Sequence, residues 1–201
     1  MQGINGRISN QVFLAIPKIS VSAWHGLLRR GVGVFLEKAV SVRDLMTDVL
    51  GMDPQYATNS VPGLFLNNAP VDDWREERVG GGDEVGMSGT MPGLCGIALR
   101  RSSPIRAFRP DLVSKHGEES TGGVAKVKMF NFVAQDCFPA VLARGVILSA
   151  RAFMQYLEDE DIALDQCECA LNGAPVDPAR IREVLAGAEG DIELKMTTME
   201  G

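Results

Sequence analysis

The chain has 201 residues, of which 45% are hydrophobic and 23% are charged, a composition typical of an ordinary globular protein. It contains no apolar run of about 18 residues and no N-terminal secretion signal, so the sequence predicts a cytoplasmic protein without a membrane span. The net charge of −6 is concentrated in residues 124–201, which hold 7 basic and 13 acidic side chains, and this argues against nucleic-acid binding there.

The first part of the chain predicts four strands around one main helix. The strands are predicted at residues 12–16, 32–36, 63–66 and 83–88, with a short helical turn at 24–30. The main helix is predicted at 41–50, because Ser41 is a suitable N-cap and apolar residues follow it at helical spacing. Gly51 is expected to end that helix.

Residues 94–123 read as a linker between two similar parts. Its apolar beginning, at residues 94–99, predicts an extra strand or a buried return of the chain. Its end, from Glu118 to Gly123, has the composition of a flexible segment.

The last part of the chain repeats the order of the first. Strands are predicted at residues 125–133, 146–148, 167–171 and 192–196, with a helical turn at 138–143 and a main helix at 150–158. Each part has one substantial helix among several strands, so the sequence predicts an α+β fold.

A direct sequence repeat supports this division. Residues 66–72 return as residues 171–177 with six identities in seven positions. Weaker echoes lie before and after this motif in the same order, which indicates a duplicated unit. The predicted domains are therefore 8–93, a linker at 94–123, and 124–201.

The repeated motif resembles the C-terminal half of the β-grasp sulfur carriers, the ubiquitin-like proteins of thiamine and molybdopterin synthesis. In those proteins an Asn-Gly-type turn is followed by a Gly-Asp-Glu-Val-like entry into the last strand, and the chain ends in Gly-Gly. The matching residues here are Asn68, Ala69, Pro70, Val71, Asp72, Gly82, Asp83, Glu84 and Val85. The second copy matches at Asn172, Gly173, Val176, Asp177, Gly190 and Asp191.

The resemblance implies two tandem β-grasp-like units, each a small mixed sheet packed on one main helix. It also implies an alternative function, in which the carboxylate of Gly201 is activated as in a sulfur carrier. The chain departs from the carriers at its end, because Glu200 stands where their tail has glycine.

Few residues suggest chemistry. His25 is the candidate general base of an enzyme, although a structural or surface histidine is the preferred interpretation. Cys167 and Cys169 are expected on one face of a strand as core residues, and no metal site or cofactor is predicted. A basic group in the linker is the predicted binding site, for a nucleic acid or for an acidic partner such as the acidic second unit, although solvated linker charge is the preferred interpretation. It consists of Arg100, Arg101, Arg106 and Arg109.

The favoured function is a non-enzymatic protein-interaction module that binds a partner protein or itself. Open strand edges would recruit the partner by strand addition. Two alternatives remain, a sulfur carrier acting through Gly201 and a small enzyme using His25.

Overall fold

The computed structural model describes residues 8–109 and 121–199. The strands are β1 Ile8–Ile16, β2 Val32–Leu36, β3 Val40–Ser41, β4 Gly63–Leu66, β5 Ala69–Pro70, β6 Arg78–Val79, β7 Glu84–Ser88, β8 Gly123–Phe130, β9 Val146–Ser149, β10 Glu168–Leu171, β11 Ala174–Val176 and β12 Asp191–Thr198. The α-helices are α1 Val21–Trp24, α2 Gly26–Arg30, α3 Val42–Asp44, α4 Pro54–Asn59, α5 Gly93–Ala98, α6 Phe132–Arg144, α7 Ala150–Asp159 and α8 Pro178–Gly187.

This mixture of helices with parallel and antiparallel strand pairs confirms the predicted α+β class. Within the described ranges, no helix has both the length and the apolarity that crossing a bilayer requires.

The chain divides into two compact units, one of which is built from two separate segments of the sequence. Unit 1 comprises residues 1–27 and 138–201, and unit 2 comprises residues 28–137. The predicted domains at 8–93 and 124–201 follow the sequence repeat, and the compact units cut across both of them.

The sheet of unit 2 has the strand order β2-β8-β7-β4-β5. Its central pair, β8 with β7, is parallel, with Val127 opposite Val85. The remaining neighbours are antiparallel. Strand β8 belongs to the second sequence repeat, so unit 2 is completed by a strand from that repeat.

The sheet of unit 1 has the corresponding order β9-β12-β1-β10-β11. Its central pair, β12 with β1, is also parallel, and β1 belongs to the first sequence repeat. Each unit therefore contains one parallel pair made from one strand of each repeat, which explains why the compact units and the repeats do not coincide.

In both units an asparagine side chain connects a turn to a neighbouring strand. Asn67, in the turn between β4 and β5, has φ +49°, and its backbone amide donates to the Glu84 carbonyl of β7 at 2.9 Å. Its Oδ1 accepts from the Glu84 amide at 2.9 Å, and its Nδ2 donates to the Asp83 carboxylate at 2.8 Å. The turn between β4 and β5 is thus held against the beginning of β7.

Asn172, in the turn between β10 and β11, repeats this arrangement with φ +49°. Its Oδ1 accepts from the Gln11 amide of β1 at 2.8 Å, and its Nδ2 donates to the Oδ1 of Asn10 at 3.2 Å. The predicted turns at Asn67-Asn68 and Asn172-Gly173 are confirmed, since the following residues also have positive φ, as a type I′ turn requires.

The predicted main helices are confirmed with modified ends. Ser41 caps the first, because its Oγ accepts from the Asp44 amide at 3.0 Å, and α3 then continues as a π-helical turn at Leu45–Val49. Gly51, with φ +72°, follows that turn. The second main helix is α7, and Ser149 caps it by accepting from the Ala152 amide.

One prediction for the linker was wrong, and the segment predicted to be flexible, 118–123, lies partly outside the described residues. Residues 94–99 form most of helix α5 instead of a strand, because a short apolar run does not distinguish the two structures. Gly123 begins strand β8, and an added Cβ at Gly81 would lie 2.8 Å from its Cα. The end of the segment predicted to be flexible is therefore in close backbone contact with the glycine run at residues 80–82.

Each unit has its own apolar core. The largest fully buried side chains of unit 1 are Trp24, Tyr156, Phe138, Phe153, Leu14 and Ile16. Those of unit 2 are Leu28, Leu36, Leu45, Met46, Leu50 and Leu64. One face of each sheet contributes to these cores, which leaves the other face to be considered as a functional surface.

Candidate functional site

The outer face of the unit 2 sheet is formed by the residues that alternate with the core. In β8 the buried residues Ala125, Val127 and Met129 alternate with outward-facing side chains. We call this surface the unit 2 outer face. Its defining residues are Phe65, Glu84, Gly86, Lys126, Lys128 and Phe130.

A shelf lies at the centre of the unit 2 outer face, where β7 has a glycine. Gly86 is paired with Phe65 on β4 and with Lys128 on β8. A Cβ at Gly86 would lie 3.6 Å from the Phe65 Cβ and 3.8 Å from the Phe130 Cε2, which are ordinary contact distances. The fold would accept a methyl group here, so the glycine leaves a gap of about that size beside two phenylalanines.

Two aromatic side chains at the end of β8 and the start of α6 are accessible. Phe130 is 38% exposed and Phe132, at the beginning of α6, is 40% exposed. The Phe132 ring covers Gly89, since a Cβ there would overlap its ring atoms. Asn131, between the two, has φ +56° and donates from Nδ2 to the buried Ser88 hydroxyl at 3.2 Å, which fixes the turn that presents both rings.

An ion pair forms the polar border of the shelf. Lys128 Nζ lies 2.8 Å from Glu84 Oε1, and Lys126 Nζ lies 3.5 Å from Glu84 Oε2. The hydrogen bond from Lys128 lowers the pKa of the Glu84 carboxyl below its ordinary value, against the effect of partial burial. Two lysines share one carboxylate, so this border carries net positive charge.

Three of the four predicted binding arginines make contacts within unit 2. The Arg109 guanidinium lies 2.8 Å from the Asp72 carboxylate and donates to the carbonyl oxygens of Ala98 and Arg100. Its side chain is only 10% exposed.

Arg101 lies 4.0 Å from the centre of the Trp74 ring and donates to the Thr58 carbonyl. Arg100 donates to the Met91 carbonyl, and Arg106 is exposed. These contacts attach residues 93–109 to unit 2. The use of this group for binding a partner stays a prediction.

His25 lies in unit 1, between α1 and α2. Its ring makes an edge contact with Phe138, with the ring centres 5.4 Å apart. The neighbouring Trp24 is buried against Phe153 and Tyr156, and Tyr156 donates to the Ala23 carbonyl at 2.5 Å. The segment around His25 thus serves the core of unit 1, and a catalytic role stays a prediction.

Cys167 and Cys169 lie at the start of β10, where Cys169 is buried. Burial raises the pKa of the Cys167 thiol to about 11, with smaller contributions from Cys169 and Asp165. Burial also raises the pKa of Cys169. Both side chains are therefore neutral thiols near pH 7. In the part of the chain that the structure describes, no three histidine, cysteine or acidic side chains are grouped as metal ligands.

Two further predictions concern the ends of the sheets and of the chain. The terminal strands β5 and β11 are short, and each contains a proline, Pro70 and Pro175. Proline and short length are features that oppose strand addition. Gly201, the alternative carrier residue, lies outside the described residues.

Sequence reasoning did not select the residues of the shelf. The alternation in residues 125–130 correctly predicts a strand, and it also separates Lys126, Lys128 and Phe130 from the core. Gly86 within the last strand of the first repeat was a further signal, because glycine inside a strand often marks close approach by a ligand or another backbone. Their proximity depends on the pairing of β7 with β8, which the repeat alone did not indicate.

No model of a known protein family matches the chain, and neither a curated protein nor a solved structure matches it.

Proposed function

We propose that the chain is a non-enzymatic protein-interaction module whose two compact units are β-grasp-like, and that the unit 2 outer face binds the partner. The observation that carries the proposal is the accessible Phe130 beside the shelf at Gly86. Aromatic side chains are enriched in protein interfaces, and exposed apolar surface next to polar groups is typical of them.

The β-grasp interpretation is supported by strand order and by the position of the resembling residues. A parallel central pair flanked by antiparallel strands occurs in both units. Residues 68–72 lie at the turn into β5 and just after it, and residues 82–85 lead into β7, as the resemblance implies.

The mode of binding that the geometry favours is docking onto the sheet face. The prolines in β5 and β11 oppose the predicted strand addition at these edges. The shelf offers apolar contact between Phe65 and Phe130, and the border of Lys126, Lys128 and Glu84 offers polar contacts that orient a partner.

The proposal is tested by substituting one aromatic residue and a matched control. Phe130→Ser is expected to lower the amount of partner that co-purifies with the tagged protein from its source cells by about tenfold, because truncating an aromatic anchor removes much of the binding energy. Leu94→Ser is the control, since Leu94 is 77% exposed in α5, outside the sheet.

Both variants should keep the wild-type thermal unfolding, because both side chains are substantially exposed. Equal recovery of partners by the wild type and Phe130→Ser would contradict the proposal.

A further inference from the structure

Unit 1 also exposes an aromatic side chain on the outer face of its sheet. Phe13 of β1 is 39% exposed and faces away from the buried residues Val12 and Leu14. Beside it lies a cavity of about 320 Å³ that Gln11, Ala170 and Glu193 help to line. This volume is at the lower end of the range for pockets that hold small ligands.

The two outer faces carry charge of opposite sign. The outer face of unit 1 has three acidic residues and one basic residue, which are Glu168, Asp191, Glu193 and Lys195. Lys195 is paired with Glu193 at 3.3 Å, so the remaining carboxylates give this face its negative charge. The unit 2 outer face has two lysines for one carboxylate.

We infer that the partner is a second copy of this chain, with the outer face of unit 1 in one copy docked on the unit 2 outer face of the other. This inference rests on the proposed function and identifies the partner for the same surface. Phe13 packs over Gly86 against Phe130 of the second copy, and Phe130 covers the cavity beside Phe13.

The contact joins unlike faces. Each copy has both an acidic face with Phe13 and a basic face with the shelf at Gly86. Copies therefore associate head to tail, with residue 13 of one copy against residue 130 of the other.

The charges orient this pairing and make it sensitive to salt. Two acidic faces repel each other, as do two basic faces, so contact between unlike faces is favoured. The association is expected to weaken as salt is raised, because the lysine and glutamate side chains at these faces are partly exposed.

Sedimentation of the full chain across a range of micromolar concentrations tests the inference. The wild type is expected to self-associate, and Phe13→Ser and Phe130→Ser are each expected to weaken the association by about tenfold or more. An equimolar mixture of the two variants is expected to associate more tightly than either alone, because one contact between the two variants retains both phenylalanines.

The mixture separates unlike from like pairing. If unit 2 faces paired with each other, Phe13→Ser would not weaken the association. If unit 1 faces paired with each other, Phe130→Ser would not weaken it. Ile19→Ser is the control, since Ile19 is 90% exposed but lies after β1, outside the sheet. It should associate as the wild type does.

A wild type that stays monomeric at every concentration overturns the inference, and so does a mixture that gains nothing over the single variants. Neither result would overturn the proposed function, which fails only if Phe130→Ser leaves partner recovery from cells unchanged.

Discussion

At the scale of single residues, hydrogen bonding explains why the sequence repeat retains its asparagine. Asn67 and Asn172 each form a turn with positive φ and also bind the backbone of the neighbouring strand. A glycine could adopt the turn but could not supply the side-chain amide. The identity of these two residues therefore reflects a specific set of hydrogen bonds.

Asn67→Ala is expected to lower the free energy of unfolding by about 1–3 kcal/mol, because the Glu84 amide and the Asp83 carboxylate lose their partner. Asn68→Gly is the matched control, since Asn68 has φ +68° and Gly173 occupies the same position in the other unit. Denaturant titration measures both. An unchanged midpoint for Asn67→Ala would refute the role given to its side chain.

The cysteines provide a second prediction at this scale. Burial raises the pKa of Cys137 to about 11, and burial raises that of Cys167 to about 11, whereas Cys95 is exposed. At pH 8 the thiolate fraction of Cys137 and Cys167 is small, and thiolate is the reactive form. Iodoacetamide should modify Cys95 first, as peptide mass mapping will measure. Cys137 or Cys167 reacting as fast as Cys95 would contradict this.

At the scale of elements, Gly81 acts through close backbone packing. A Cβ at Gly81 would lie 2.8 Å from the Gly123 Cα and 3.0 Å from the Gly122 carbonyl oxygen. The sequence indicates only a flexible turn, because the contact is made with residues far along the chain.

Gly81→Ala is expected to destabilise the protein by about 1–3 kcal/mol, since backbone atoms must move to make room. Gly187→Ala is the control, because no atom lies within 4 Å of its Cβ position at the end of α8, and alanine favours a helix. Thermal or denaturant unfolding compares the two. Equal stability of both variants would show that the close contact is not needed.

The link between β7 and β8 makes stability depend on pH. Lys128 lowers the pKa of Glu84, so ionised Glu84 stabilises the folded state above its ordinary pKa of 4.5. That contribution is lost as the pH falls through the lowered value. Relative to Glu84→Gln, the wild type should lose stability as the pH drops below 4.5. A stability difference independent of pH in this range would contradict the pairing.

At this scale the sequence predicts local structure well where the signal is local. The N-cap at Ser41, the helix α7 and the Asn-Gly turn are confirmed because neighbouring residues determine them. Helix α5 was predicted wrongly, because a short apolar run fits a helix or a strand, and α8 was not predicted.

At the scale of the whole molecule, the sequence does not indicate which strands pair. The first strand of each repeat, β1 or β8, has one parallel and one antiparallel neighbour. These pairs form through backbone hydrogen bonds that almost any residue can supply. Alternation predicts which face of a strand is buried but not which strand lies beside it. The shelf at Gly86 depends on this pairing, so it could not be assembled from the sequence.

The division into units predicts how fragments behave. A fragment of residues 28–137 contains all five strands of the unit 2 sheet, whereas residues 8–93 lack β8 from between β2 and β7. The first fragment should unfold cooperatively, and the second should not. Circular dichroism during thermal unfolding distinguishes them, and cooperative unfolding of 8–93 alone would show that the repeat is itself a folding unit.

Cross-linking from the shelf tests the central claim, that the unit 2 outer face binds a protein. A photoreactive phenylalanine analogue is placed at position 130 of the full chain, and at position 19 as the control, and irradiated in the source cells. The account predicts a discrete cross-linked protein product from position 130 and none from position 19. Cross-linking that is absent from position 130, or that is the same from both positions, would contradict it.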